Sequence, residues 1–98
     1  MQIYSVDLPQ IIIEKIREQA LVIALDKPSV AMQWHDMGFE KIFSLESMPE
    51  RCPEASESQY FTYVIRQLLI GDYRVLFRVV DDTVRVLDFK GGRQNKPE

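Results

Sequence analysis

From residue 60 onward the apolar residues of this chain stop recurring every three or four positions and begin to alternate, and that change narrows the possible folds. Three alternating runs, Tyr60 to Ile70, Tyr73 to Val80 and Thr83 to Lys90, are separated only by Gly71-Asp72 and Asp81-Asp82. Two-residue breaks made of Gly and Asp suit the tight loops of β-hairpins, so the runs predict a three-stranded antiparallel meander. Such a sheet buries one face and needs cover from elsewhere in the chain.

That cover is legible upstream. Gln2 to Val6 alternates and predicts a short strand ending at Asp7. Asp7 is the expected N-cap of a helix, with Gln10 three residues on and Pro9 tolerated in the first turn. Ile12, Ile13, Ile16, Ala20, Ile23 and Ala24 give this helix one apolar stripe as far as about Leu25. Asp26-Lys27-Pro28-Ser29 breaks the pattern and offers Asp26 or Ser29 as the next cap. A second helix is expected from about Val30 to Ser47, presenting Trp34, Gly38, Ile42 and Leu45, and so short a link predicts an antiparallel helical hairpin. Gly38 inside it suggests close packing against the first helix or the sheet. Met48 to Ser58, with two prolines and several acids, reads as an exposed connector. The order β-α-α-β-β-β is that of an α+β domain, with the hairpin packed on an antiparallel sheet. At 98 residues the chain fits one domain, 1–98, with 90–98 as a loose tail.

Composition excludes several classes of protein. The apolar fraction of 46% is too high for a disordered chain. No stretch approaches the ~18 continuous apolar residues of a membrane span, and the N-terminus lacks the pattern of a signal peptide, so a cytoplasmic protein is expected. Cys52, the only cysteine, has no disulfide partner or companion for a zinc site and reads as a spectator thiol. No metal, P-loop or Ser-His-Asp pattern appears, and no cofactor is expected. The net charge of −3 hides an asymmetry, because residues 1–59 carry five Lys/Arg against ten Asp/Glu, and residues 60–98 carry seven against five. The C-terminal part is therefore the one suited to an anionic partner.

If Asp81-Asp82 closes a two-residue loop, Arg78 lies opposite Arg85, Leu76 opposite Leu87 and Arg74 opposite Phe89. Strict alternation then puts Arg74, Leu76, Arg78, Arg85, Leu87 and Phe89 on one face, and Tyr73, Val75, Phe77, Val79, Val84 and Val86 on the core face. Arg78 opposite Arg85 is a like-charge pair that destabilises the sheet unless an anion or carboxylate lies over it, which makes this face a candidate binding surface. The competing reading is that the guanidiniums splay into water or meet acids of the connector. Arg66 falls on the core side through a simple Gly71-Asp72 turn and on the arginine face through a one-residue bulge. A buried unpaired Arg is costly, so a bulge or a salt bridge is expected. His35 beside Trp34, and Tyr60, Tyr63 and Tyr73 on the strands, read as packing residues, and Glu46, Glu50 and Glu54 as solvated acids.

The segments SLESMPERCPEA, IRQLLIGDYRVLF and DDTVRVLDF resemble the helix end, connector and central hairpin of RelE/ParE superfamily toxins. The resemblance extends to about Phe89. It implies the toxin of a bacterial type II toxin–antitoxin system of the plasmid-stabilisation type. Such a toxin inhibits growth and is neutralised by a cognate antitoxin in a hetero-oligomer. ParE-like members poison DNA gyrase, whereas RelE-like members cleave mRNA on the ribosome. On the RelE-like reading, Arg66 and Arg74 match basic positions of the catalytic cluster, and Lys90 or Arg93 a further one, where they would neutralise a scissile phosphate. On either reading, Arg74, Arg78, Arg85 and Phe89 are the expected binding face for the antitoxin or an anionic target. Relatives with this wording often continue as VLHVRHGAR, whereas this chain has VLDFKGGRQ, with Asp88 and Gly91 where histidines are expected. The missing acid–base residues favour a toxin that binds its target, with the mRNA endonuclease and an inactive antitoxin-binding relic as alternatives.

Overall fold

The computed structural model describes residues 2–91. Strand β1 (Ser5–Asp7) leads into helix α1 (Gln10–Ala24), followed by helix α2 (Pro28–Phe43) and then strands β2 (Arg66–Ile70), β3 (Tyr73–Val80) and β4 (Thr83–Gly91). The sheet order is β1-β4-β3-β2, so the expected meander is present and β1 joins it as a parallel edge beside β4. Both hairpin loops are two residues long, with Ile70 opposite Tyr73 and Val80 opposite Thr83. Each turns through a left-handed first residue, Gly71 at φ 59 and Asp81 at φ 53. These are residue types that tolerate that conformation.

The helices begin and end differently from expectation. Asp7 is paired with Arg85 in the β1–β4 ladder and lies two residues ahead of the position that caps α1. Pro9 is the N-cap, with no side-chain hydrogen bond, and its carbonyl accepts the Ile12 and Ile13 N–H groups. Neither Asp26 nor Ser29 caps α2, which starts with Pro28 in its first turn behind Lys27. A proline there loses no helical hydrogen bond, because the first N–H groups have no partner within the helix. The helix stops at Phe43 and tightens into a 3-10 turn at Ser44–Glu46.

The hairpin buries Ile12, Ile16 and Ile42 against Ile70, Val75, Val86 and Phe89, with Trp34, Phe39 and Tyr73 packed around them. A second group, Leu45, Cys52, Phe77 and Val84, continues the core below β1. Gly38 is buried beside Ile70, but the space beyond its Cα would place a Cβ at 3.8 Å from Ile70 Cδ1, so nothing there forbids a methyl group.

The connector is not simply exposed. It folds back in two further 3-10 turns, Pro49–Arg51 and Ser56–Tyr60, and buries Pro49, Cys52, Ala55 and Ser58. Gln67 N–H donates to the Pro53 carbonyl and Ala55 N–H to the Ile65 carbonyl, which staples the connector to the outer edge of β2. Ala55, Ile65 and Leu76 form a small apolar cluster with Tyr63. Leu76 alternates with the core-facing Val75 and Phe77, so this strap covers the sheet face away from the helices. Among the described residues no helix is long and apolar enough to cross a membrane.

Candidate functional site

Strict alternation holds on β4 only as far as Val86. Phe77 is opposite Val86 but Leu76 is opposite Asp88, so Leu87 is an extra residue in a β-bulge. From there the faces differ from the simple count. Phe89 sits opposite Val75, and Lys90 sits opposite Arg74. Phe89 is therefore not on the arginine face. It is 8% exposed in the helix-covered core, with its ring stacked on Tyr73 at 5.3 Å. The expectation that Phe89 belongs to the binding face is corrected by that one-residue slip. Leu76 stays on the arginine side but is buried beneath the strap rather than offered to a partner.

The same slip brings Lys90 across from Arg74, two cations in directly facing positions. Glu57, from the Ser56–Tyr60 turn, meets both. Arg74 Nη2 is 2.6 Å from Glu57 Oε2 and Arg74 Nη1 is 3.0 Å from Oε1, a two-pronged ion pair. Lys90 Nζ donates to Glu57 Oε2 at 3.3 Å, and Arg74 Nη1 also donates to Gln67 Oε1 at 3.0 Å. The Arg74 and Glu57 side chains are only 17% and 18% exposed, so solvent screens them weakly. The Arg74 hydrogen bonds hold the Glu57 carboxyl down at about 2 against the opposing effect of burial, with help from its own backbone N–H and from Lys90. The same carboxylate raises the Arg74 guanidinium above its ordinary value.

The remaining cations are placed differently. Arg78 and Arg85 are opposite each other as expected. The Arg78 guanidinium lies 3.8 Å over the Tyr63 ring, and Arg85 makes a loose ion pair with Asp7 at 3.9 Å. A cation over an aromatic face gains electrostatic attraction without a counter-ion, so the like-charge pair is relieved on two sides. The Arg78 Nε is buried without a hydrogen-bond partner among the described residues. Arg66 has neither the bulge that was expected nor, among the described residues, a salt bridge. The β2–β3 register is unbroken, Arg66 shares the side of Phe77, and its Nη1 donates to the Cys52 carbonyl at 2.9 Å. It is thus apart from Arg74. Arg93 lies outside the described residues. Asp88, in place of an expected histidine, bonds Lys15 of α1 at 2.8 Å and ties the helix to β4.

Two members of the site were missed from the sequence, Glu57 and Tyr63. With Phe61, Ile65, Leu76, Leu87, Asp88 and Lys90 they line a cavity of about 290 Å³ beside the Arg74 cluster. His35 is placed elsewhere, on α2 against Phe39, and Tyr73 is packed with Trp34 and Phe89 on the helix side. Among the described residues no three His, Cys, Asp or Glu side chains gather to hold a metal ion.

The family model of the ParE toxin of the type II toxin–antitoxin system parDE matches residues 12–96. The chain belongs to the ParE toxin family. The match runs from the first turn of α1 through α2, the strap and the meander, and the β-α-α-β-β-β order that the resemblance implied is present in the fold. The protein is accordingly the toxin of a type II toxin–antitoxin system, with an antitoxin as its partner. No curated protein matches the toxin's sequence.

Proposed function

We propose that this toxin stops growth by binding a protein target in the cytoplasm, DNA gyrase being the target its ParE family suggests, and that it does not cut RNA. The observation that carries this reading is the Glu57 carboxylate between Arg74 and Lys90. A nuclease of the RelE kind needs its basic cluster free to neutralise a scissile phosphate and leaving oxygen. Here two of the four candidate catalytic residues already share a carboxylate, and a third, Arg66, is bonded to a backbone carbonyl.

A purified sample should inhibit gyrase supercoiling, and added antitoxin should restore it. Codon-phased mRNA cuts on translating ribosomes that disappear in Arg74→Ala would overturn this in favour of the endonuclease. That second reading draws support from Tyr63, whose ring lines the same cavity as Lys90 and supplies the phenol that the C-terminal segment lacks. Harmless expression of soluble chain without antitoxin would favour the third reading, an inactive relic.

A further inference from the structure

The carboxylate that joins Arg74 to Lys90 comes from a segment whose backbone is anchored independently of it. The strap is anchored on either side of Glu57, by Ala55 N–H to the Ile65 carbonyl at 2.7 Å and by Ile65 N–H to Ser58 Oγ at 2.6 Å. Glu57 itself reaches the sheet through its side chain, held by Arg74, Lys90 and, at 3.4 Å, Ser56 Oγ. A rotation about its own bonds would vacate the position and leave two cations facing each other.

We infer that Arg74 and Lys90 form a seat for a carboxylate, filled in the isolated chain by Glu57 and taken over by an acidic side chain of a protein partner. An apolar residue next to that acid would enter the neighbouring cavity. The inference names a ligand for the binding reading above and rests on it. Three features specify this chemistry. The seat holds one carboxylate in two-pronged geometry, the arrangement in which a guanidinium best recognises an acid. The cavity of about 290 Å³ beside it is walled by Phe61, Tyr63, Leu76 and Leu87, of which Phe61 is 51% and Leu87 39% exposed, so apolar surface is open to a visitor. Asp88 lines the same cavity, an acid that disfavours the extended phosphate backbone of a nucleic acid there but leaves room for a single carboxylate.

Because the internal carboxylate competes with the incoming one, apparent affinity is lowered by the fraction of molecules in which Glu57 is away. The test is to titrate the full chain and its Glu57→Ala and Glu57→Gln variants with acetyl-leucyl-glutamyl-leucine amide. Its glutaminyl analogue and a single-stranded RNA tetranucleotide serve as comparison probes. Binding is followed by NMR at the Arg74 guanidinium and at the Phe61 and Tyr63 rings. The glutamyl peptide should bind both variants at least about tenfold more tightly than the parent. The glutaminyl analogue should show no such gain, and adding Arg74→Gln should abolish it. If Glu57→Ala fails to fold, Glu57→Gln keeps the side-chain shape and gives the same comparison. Equal affinity in parent and variants, or an equal gain for the neutral analogue, overturns the inference and leaves the gyrase assay unaffected. Preferential RNA binding by the variants overturns the choice of ligand. RNA cutting by them would overturn the proposed function as well.

Discussion

Replacing Glu57 by Gln should reduce stability by an amount that depends on pH in a defined window. The Glu57 carboxyl ionises at about 2 in the folded chain against an ordinary value of 4.5, because hydrogen bonds from Arg74, from its own backbone N–H and from Lys90 favour its charged form. A folded value depressed in this way means that the stabilisation is complete above the unfolded value and is lost as pH falls through the folded one. Each tenfold preference for the ionised form is worth about 1.4 kcal/mol, so the carboxylate contributes on the order of 3 kcal/mol near pH 7. The contribution drops to roughly 1 kcal/mol near pH 3 and to almost nothing at about pH 2. For a domain this small that is a large share of a total of about 5–15 kcal/mol.

The assay is urea unfolding of the parent and Glu57→Gln chains at a series of pH values, read as the difference between their midpoints at equal slope. Every other carboxyl is common to the two proteins, so the difference between them cancels those that Glu57 does not touch. The gap should be widest near neutrality and should close as pH falls from about 4.5 to about 2. A gap of the same size at both ends would refute the reasoning, because a loss independent of ionisation would come from packing alone.

Three further outcomes are expected. Phe89→Ala should destabilise the chain by about 3–5 kcal/mol, since it removes a buried ring from the core; a loss under about 1 kcal/mol in thermal or urea unfolding would return Phe89 to the solvent face. Gly38→Ala should stabilise by about 0.5–1 kcal/mol, because the helix gains a better former and the new methyl meets Ile70 at ordinary contact distance; a lower melting temperature would count against it. Burial raises the Cys52 thiol above its ordinary value, against the smaller influence of Arg51 and Arg66, and leaves the residue 6% exposed. It should react with a thiol reagent no faster than the chain opens, and modification at the rate of a free thiol would disprove this.

Much of the fold is written in local signals. Gly71-Asp72 and Asp81-Asp82 set the hairpins because a two-residue loop depends on the residues inside it. The helical hairpin follows from isoleucines at helical spacing, and Ile12, Ile16 and Ile42 are among its buried members. The helix starts were less legible. An Asp caps only from the position just before the first helical residue, and that position is held by Pro9, while Asp7 lies two residues earlier, paired with Arg85 across the sheet. The strap was harder still. Its short 3-10 turns have no long periodicity, and the acids that suggested an exposed loop do not reveal that Pro49, Cys52 and Ala55 face inward.

The site depends on the bulge at Leu87, and the clue to it lay in Asp88. Strict alternation from Val84 and Val86 would send Asp88 into the apolar core, where an unpaired carboxylate is too costly to keep. A single extra residue removes that conflict, carries Asp88 out to Lys15, and brings Phe89 in beside Tyr73. It also turns Lys90 to face Arg74, which creates a demand that was absent from the simple register. Two cations opposite each other on neighbouring strands need an anion. The strap supplies one because the Ala55–Ile65 and Ser58–Ile65 hydrogen bonds hold the short segment between Ala55 and Ser58 against the sheet, and Glu57 is the acid within it. The pairing of Glu57 with Arg74 and Lys90 thus follows from one register shift, signalled in the sequence by Asp88, and one staple between segments that no single stretch of the sequence shows.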